Sequence, residues 1–145
     1  MEVPSELYTI PLGEASTRRE GTDLSIITYG AMVEEALEAA STLSAEDISC
    51  EIIDLRTLVP LDRKAILESV RKTSRARIVH EAVRTGGFGA EVAAIISEEA
   101  FDVLDAPPVR LTAPDTPVPY SPPLEKAFRP DAEKIAARAR ELAAY

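Results

Sequence analysis

Four short, apolar, β-branched runs begin at Leu24, Cys50, Ala76 and Val109, and each interval between them holds one helical pattern. This rhythm constrains the fold more than any other feature of the chain. The runs are LSIITY (Leu24–Tyr29), CEIIDL (Cys50–Leu55), ARIVH (Ala76–His80) and VRLT (Val109–Thr112). Apolar residues do not strictly alternate with polar ones in them, as expected for strands covered on both faces, and therefore for a mainly parallel sheet. In Ala31–Leu43, apolar Met32, Val33, Ala36, Leu37, Ala40 and Leu43 recur at helical spacing. Asp62 is placed to cap a second helix running through Lys72, and Asp131 a last one through Ala144. A third helix is expected over Ala90–Leu104, apolar around most of its girth and so deeply buried. A proline-rich loop is expected from Ala113 to Pro123. Strands joined by helices form βαβ units, and their right-handed crossovers place helices on both sheet faces. The fold expected is α/β, a three-layer α/β/α sandwich.

A length of 145 residues fits one domain. Residues 1–13 read as an arm or linker, with Pro4 and Pro11 flanking it, and 14–145 as the domain. The stretch Tyr8–Arg19 offers an additional edge strand. The start of the chain lacks a basic region and an apolar core, so no signal peptide is expected. No apolar run approaches the ~20 residues of a membrane span. Sixteen Lys+Arg against 25 Asp+Glu give a formal net charge of −9, which argues against nucleic acid as a partner. The charge falls in two blocks without a base: Glu34, Glu35, Glu38, Glu46 and Asp47, then Glu98, Glu99, Asp102 and Asp105. Solvated helix faces are the plain explanation, and a docking surface for a basic partner the sharper one.

Few residues have the pattern of chemistry. The turn Thr85-Gly86-Gly87-Phe88-Gly89 lies between a strand and a helix, where backbone N–H groups suit an anion and Arg84 adds charge. Its glycine spacing matches neither the dinucleotide nor the P-loop pattern. A tight turn packed on the sheet is the alternative. His80 ends a strand, where α/β sheets collect ligands, but has no second His and no nucleophile at a recognisable elbow. Cys50, the single cysteine, excludes an internal disulfide and reads as a small apolar filler. Asp54 and Arg56, two apart on one strand, read as sharing a face, as an ion pair or as an anchor for a neighbouring chain.

A family resemblance adds to this. Its residues are Gly30, Asp54-Leu55-Arg56-Thr57-Leu58-Val59-Pro60-Leu61-Asp62 and Ser69-Val70-Arg71-Lys72-Thr73, then His80-Glu81-Ala82. Arg84-Thr85-Gly86-Gly87-Phe88-Gly89-Ala90-Glu91 and Asp115-Thr116-Pro117-Val118-Pro119 complete the set. In this order they strongly resemble the C-terminal domain of the β subunit of thiamine-diphosphate-dependent 2-oxoacid dehydrogenases, the E1 component, over roughly Pro4–Tyr145. The pyruvate and branched-chain (2-oxoisovalerate) types look closest, and the acetoin dehydrogenase β subunit is similar. The resemblance implies a transketolase C-terminal-type fold with a five-stranded, mostly parallel sheet and an antiparallel edge strand near Glu14–Arg19. It also implies a parent enzyme using thiamine diphosphate and Mg²⁺, bound between two domains not represented in this sequence. The family's diphosphate motif begins Gly-Asp-Gly and ends in Asn, whereas this chain has no Gly-Asp pair and no Asn. No catalytic, cofactor-binding or metal-binding residue is therefore carried over, and the chain alone is expected to be inactive.

The implied role is assembly. The implied partners are the E1 α subunit, a second E1 β subunit and the basic subunit-binding domain of the E2 acyltransferase. The implied docking residues for the last are Glu98, Asp102, Asp105 and Tyr145. The implied location is bacterial cytoplasm or mitochondrial matrix. Two readings compete: an enzyme in its own right built on His80 and the glycine turn, and an anion- or nucleotide-binding regulatory module at Arg84, Thr85, Gly86, Gly87 and Gly89.

Overall fold

The computed structural model describes residues 5–145, so residues 1–4 of the expected arm lie outside the described residues. Among the described residues five strands form one sheet: β1 (Ser16–Arg19), β2 (Leu24–Thr28), β3 (Cys50–Asp54), β4 (Ala76–Val83) and β5 (Val109–Ala113). Their order is β1-β3-β2-β4-β5. β1 runs antiparallel to β3, pairing Ser16 with Asp54, and all other pairs are parallel. The mostly parallel sheet with one antiparallel edge strand is thus the architecture present.

The helices are α1 (Met32–Ser44), α2 (Arg63–Thr73), α3 (Gly89–Glu99), α4 (Pro122–Phe128) and α5 (Ala132–Ala143). Successive strand residues face opposite sides, so the central strands β2, β3 and β4 feed two cores. Leu24, Ile26, Cys50, Ile52 and Val79 pack with Met32, Ala36 and Leu43 of α1 and Ile135 and Ala139 of α5. Ile27, Ile53 and Ile78 pack with Ile66 and Val70 of α2 and Val92, Ile95 and Ile96 of α3. Burying each Leu or Ile contributes about 2 kcal/mol relative to exposure. The two cores on opposite sheet faces make the three layers.

Both expected caps form. The Asp62 carboxylate accepts from the Ala65 N–H (3.0 Å), and that of Asp131 from the Lys134 N–H (2.8 Å). Three elements differ from the sequence reading. First, the helix expected to reach Leu104 stops at Glu99, followed by a short 3-10 turn over Phe101–Val103. Ala100 leaves the helical region at φ −138°. The chain turns there so that the Asp105 N–H reaches the Ser74 carbonyl (2.9 Å) and its carboxylate reaches Arg75 (3.4 Å). Phe101 is consequently 76% exposed rather than buried. Second, α4 begins inside the expected proline-rich loop, because Pro122 and Pro123 occupy its first turn, where no N–H is needed. Third, Asp54 and Arg56 do not form an ion pair. Arg56 has left the strand with φ +55°, its N–H donates to the Asp54 carboxylate (3.0 Å), and Asp54 pairs instead with Arg18 (3.5 Å).

Candidate functional site

The segment Asp54–Asp62 is a joint rather than a reaction centre. The Thr57 hydroxyl accepts from the Gly13 N–H (3.0 Å) and donates to the Pro60 carbonyl (2.8 Å). Asp62, besides capping α2, accepts from the Ala15 N–H (2.9 Å). Together they fix where the chain enters β1.

The glycine turn is organised around His80. The imidazole is fully buried, and neither ring nitrogen has a hydrogen-bond partner among the described residues. It stacks on Tyr29 with ring centres 6.1 Å apart, and Phe88 meets Tyr29 edge-on at 6.5 Å. A Cβ at Gly89 would lie 2.5 Å from the His80 ring. One at Gly87 would lie 2.6 Å from it and 2.3 Å from the Val83 carbonyl. Gly86 instead supplies a positive φ of +73° in open space. Thr85 directs both its N–H and its hydroxyl at the Asp115 carboxylate (2.8 Å each). These bonds, the N–H first, hold the Asp115 carboxyl below its ordinary pKa. A carboxylate of the chain itself thus already takes the turn's Thr85 donors.

Burial pushes the His80 pKa below its ordinary value, with Arg110 adding to the effect. The Ala82 backbone opposes it without reaching hydrogen-bond geometry. The unfolded chain therefore binds a proton near pH ~6.5 that the folded chain still refuses. Stability is held above that pH and lost as pH falls from about 6.5 towards the lower folded value. As the chain's one histidine, His80 alone accounts for histidine titration in this window. The thermal midpoint is expected to fall between about pH 7 and pH 5.5 and to lose that slope in His80→Phe. A flat wild-type profile would contradict this.

Burial also drives the Cys50 thiol up to about 11, so it is no nucleophile. Among the described residues no three His, Cys, Asp or Glu side chains group so as to hold a metal ion.

The two acidic blocks differ in physical setting. In the first, Glu34 and Glu35 sit in the first turn of α1, where the helix dipole favours them. Glu35 also accepts from the Ala132 N–H (2.9 Å), and Glu46 pairs with Arg140 (2.6 Å). The second block sits at the wrong end. Glu98 and Glu99 close α3, whose last turn carries no base, so the dipole opposes them. Glu99 is matched by Arg63 and Asp105 by Arg75. Glu98 and Asp102 are exposed and have no ion-pair partner among the described residues. Phe101 stands exposed between them, an aromatic contact that the helical pattern concealed. Tyr145, 73% exposed, lines a groove whose wall includes Ser97, Pro107 and Pro108 at the two ends of this block.

A βαβ sheet with this strand order, an antiparallel first strand and a glycine turn packed on a buried histidine defines a class. The chain belongs to the family described as transketolase, C-terminal domain, whose model matches residues 13–135. Among curated proteins it is 46% identical over 145 residues to the 2-oxoisovalerate dehydrogenase subunit beta of Bacillus subtilis (strain 168), covering 99% of this chain and 44% of that protein. It is 50% identical over 141 residues to the pyruvate dehydrogenase E1 component subunit beta of the same organism, covering 97% and 43%. It is 49% identical over 140 residues to an acetoin:2,6-dichlorophenolindophenol oxidoreductase subunit beta of Cupriavidus necator, covering 97% and 41%. The chain therefore spans less than half the length of these relatives. Among solved structures, a split gene transketolase, described as an inactive beta4 tetramer, superposes with a TM-score of 0.82 at 30% identity, covering 99% of this chain and 46% of that one.

Proposed function

We propose that this is the non-catalytic assembly domain of a 2-oxoacid dehydrogenase E1 β subunit. The parent enzyme decarboxylates a 2-oxoacid with thiamine diphosphate and passes the acyl group to E2. The domain supports association with the α subunit and a second β subunit and docks the basic subunit-binding domain of E2. The reading places it in bacterial cytoplasm or mitochondrial matrix, with residues 1–13 as the arm that leads into the domain.

One observation carries the proposal: the exposed acids Glu98 and Asp102, without an ion-pair partner among the described residues, flank exposed Phe101, and Glu98 sits at the α3 end whose dipole opposes it. Acids placed against the dipole cost stability locally, which favours a role outside the fold. Charge pairs steer a basic partner, and the aromatic supplies buried contact. Asp105 and Tyr145 extend the surface at its margin.

The described residues do not fit thiamine diphosphate with Mg²⁺. The Thr85 donors of the glycine turn are taken by Asp115 and its glycines pack on His80. For the same reason the turn acts as a packing joint rather than a cradle for a free anion. Calorimetric titration of this chain with thiamine diphosphate, with and without Mg²⁺, is expected to show no saturable heat. Saturable binding would remove the word non-catalytic from the proposal.

A further inference from the structure

Strand β5 closes one edge of the sheet. It pairs with β4 on one side, and no other backbone hydrogen bond reaches Val109–Ala113 among the described residues. A free edge is a template for another strand. This one lies in a groove of about 910 Å³ walled by α3 and α5. The α3 wall is low, being made of Ala93, Ala94 and Ser97. Pro108 and Pro114 bracket β5 and confine the pairing edge to the strand itself.

The groove is basic in an acidic protein. Arg77, Arg84, Arg110 and Arg138 line it, against Asp115 and Glu141. Both carboxylates are already engaged, Asp115 by Thr85 and Glu141 by Arg138 (2.8 Å). Arg77, Arg84 and Arg110 have no ion-pair partner among the described residues. Arg77 is only 6% exposed; it donates to the Arg138 carbonyl, and its Nε has no partner.

The arginines lie on both faces of the edge. Arg110 is in register with Ile78, whose side chain belongs to the α2/α3 core. Arg77 shares the face of Val79, in the α1/α5 core, and reaches α5. A strand added along β5 would turn alternate side chains to these two faces. Arg110 presents its guanidinium on the α2/α3 face, whereas Arg77 is buried against α5, so acids on the α2/α3 face of the incoming strand are matched, as a strand of alternating Glu and Val supplies them.

We propose that the β5 edge receives an extended acidic peptide segment of a partner protein as a sixth strand, held by backbone pairing and by Arg84 and Arg110. This edge lies beside the surface proposed to dock a basic domain at Glu98 and Asp102, and Tyr145 stands at the margin of both. The unmatched positive charge of the groove disfavours a second groove of the same kind facing it, which selects an acidic partner over self-pairing.

The test uses this chain and a fluorescein-labelled peptide of alternating Glu and Val, followed by anisotropy. Saturable binding is expected, weakening as salt rises and falling at least tenfold in Arg84→Glu/Arg110→Glu. Two control peptides work on the wild-type chain, so the result does not depend on a variant folding. The Lys/Val counterpart and a Glu/Val peptide N-methylated at consecutive amides, which blocks both of its edges, are both expected to bind at least tenfold more weakly. Equal binding of the Lys/Val peptide would overturn the charge assignment. Equal binding of the N-methylated peptide would overturn strand pairing. A wild-type dimer in sedimentation velocity that Arg110→Glu abolishes would assign the edge to a second copy and overturn the proposal.

Discussion

Replacing Gly21 by alanine is expected to cost on the order of 4 kcal/mol or more, at the extreme of single-residue effects. Gly21 is buried where the chain crosses from β1 to β2 over the start of β3. The Thr22 and Asp23 N–H groups both donate to the Ser49 carbonyl (3.1 and 2.9 Å), and Asp23 accepts the Ser49 N–H (2.7 Å). These bonds hold the crossing tight. A Cβ at Gly21 would lie 2.1 Å from the Cys50 carbonyl carbon and 2.2 Å from the Glu51 nitrogen. Both are backbone atoms inside the sheet, so no side chain can rotate away, and relief requires parting β1 from β3. In a domain of this size, each kcal/mol lowers the midpoint by roughly 2–4 °C. Gly21→Ala is therefore expected to melt at least about 10 °C below wild type or to fail to fold. Gly86→Ala is the control: its site is open, and only the positive φ costs, about 1 kcal/mol. Equal melting of Gly21→Ala and wild type would show that the crossing is not the tight joint described.

The layers were legible from sequence because the apolar runs are short and the helical spacings regular. Asp62 and Asp131 announced their helices by chemistry that acts within one turn. Features that depend on remote contacts were not legible. The end of α3 is set by Ser74 and Arg75, residues distant in the chain, so periodicity carried the helix through Phe101 and buried it wrongly. Arg56 departs from its strand by a single positive φ that no spacing reveals. The start of α4 had a readable signal, Ser121 followed by two prolines and Glu125, and the density of prolines hid it.

The site was half legible. The acids at Glu98–Asp105 were visible as a run, but the penalty on Glu98 and Glu99 against the α3 dipole needs the observed helix end. The β5 groove was invisible, because Arg77, Arg110 and Arg138 meet only through the strand order and the return of α5. The glycines of the turn were read as an anion cradle or a tight joint. The observed contacts favour the joint, with His80 filling the space that side chains at Gly87 and Gly89 would take.

The central claim is that this domain recruits E2, and the second large effect follows from it. Glu98 and Asp102 are the variants of choice, because Glu99 and Asp105 are tied to Arg63 and Arg75 and their loss would also disturb the fold. Reversing two exposed charges changes the surface by four units of charge while leaving both cores untouched. The decisive measurement is isothermal titration of the E2 subunit-binding domain into assembled E1 carrying this domain, at low and high salt, for wild type and Glu98→Lys/Asp102→Lys. The prediction is an affinity lowered at least tenfold, about 1.4 kcal/mol, and a markedly shallower salt dependence in the variant. Unchanged affinity with unchanged salt dependence would contradict it.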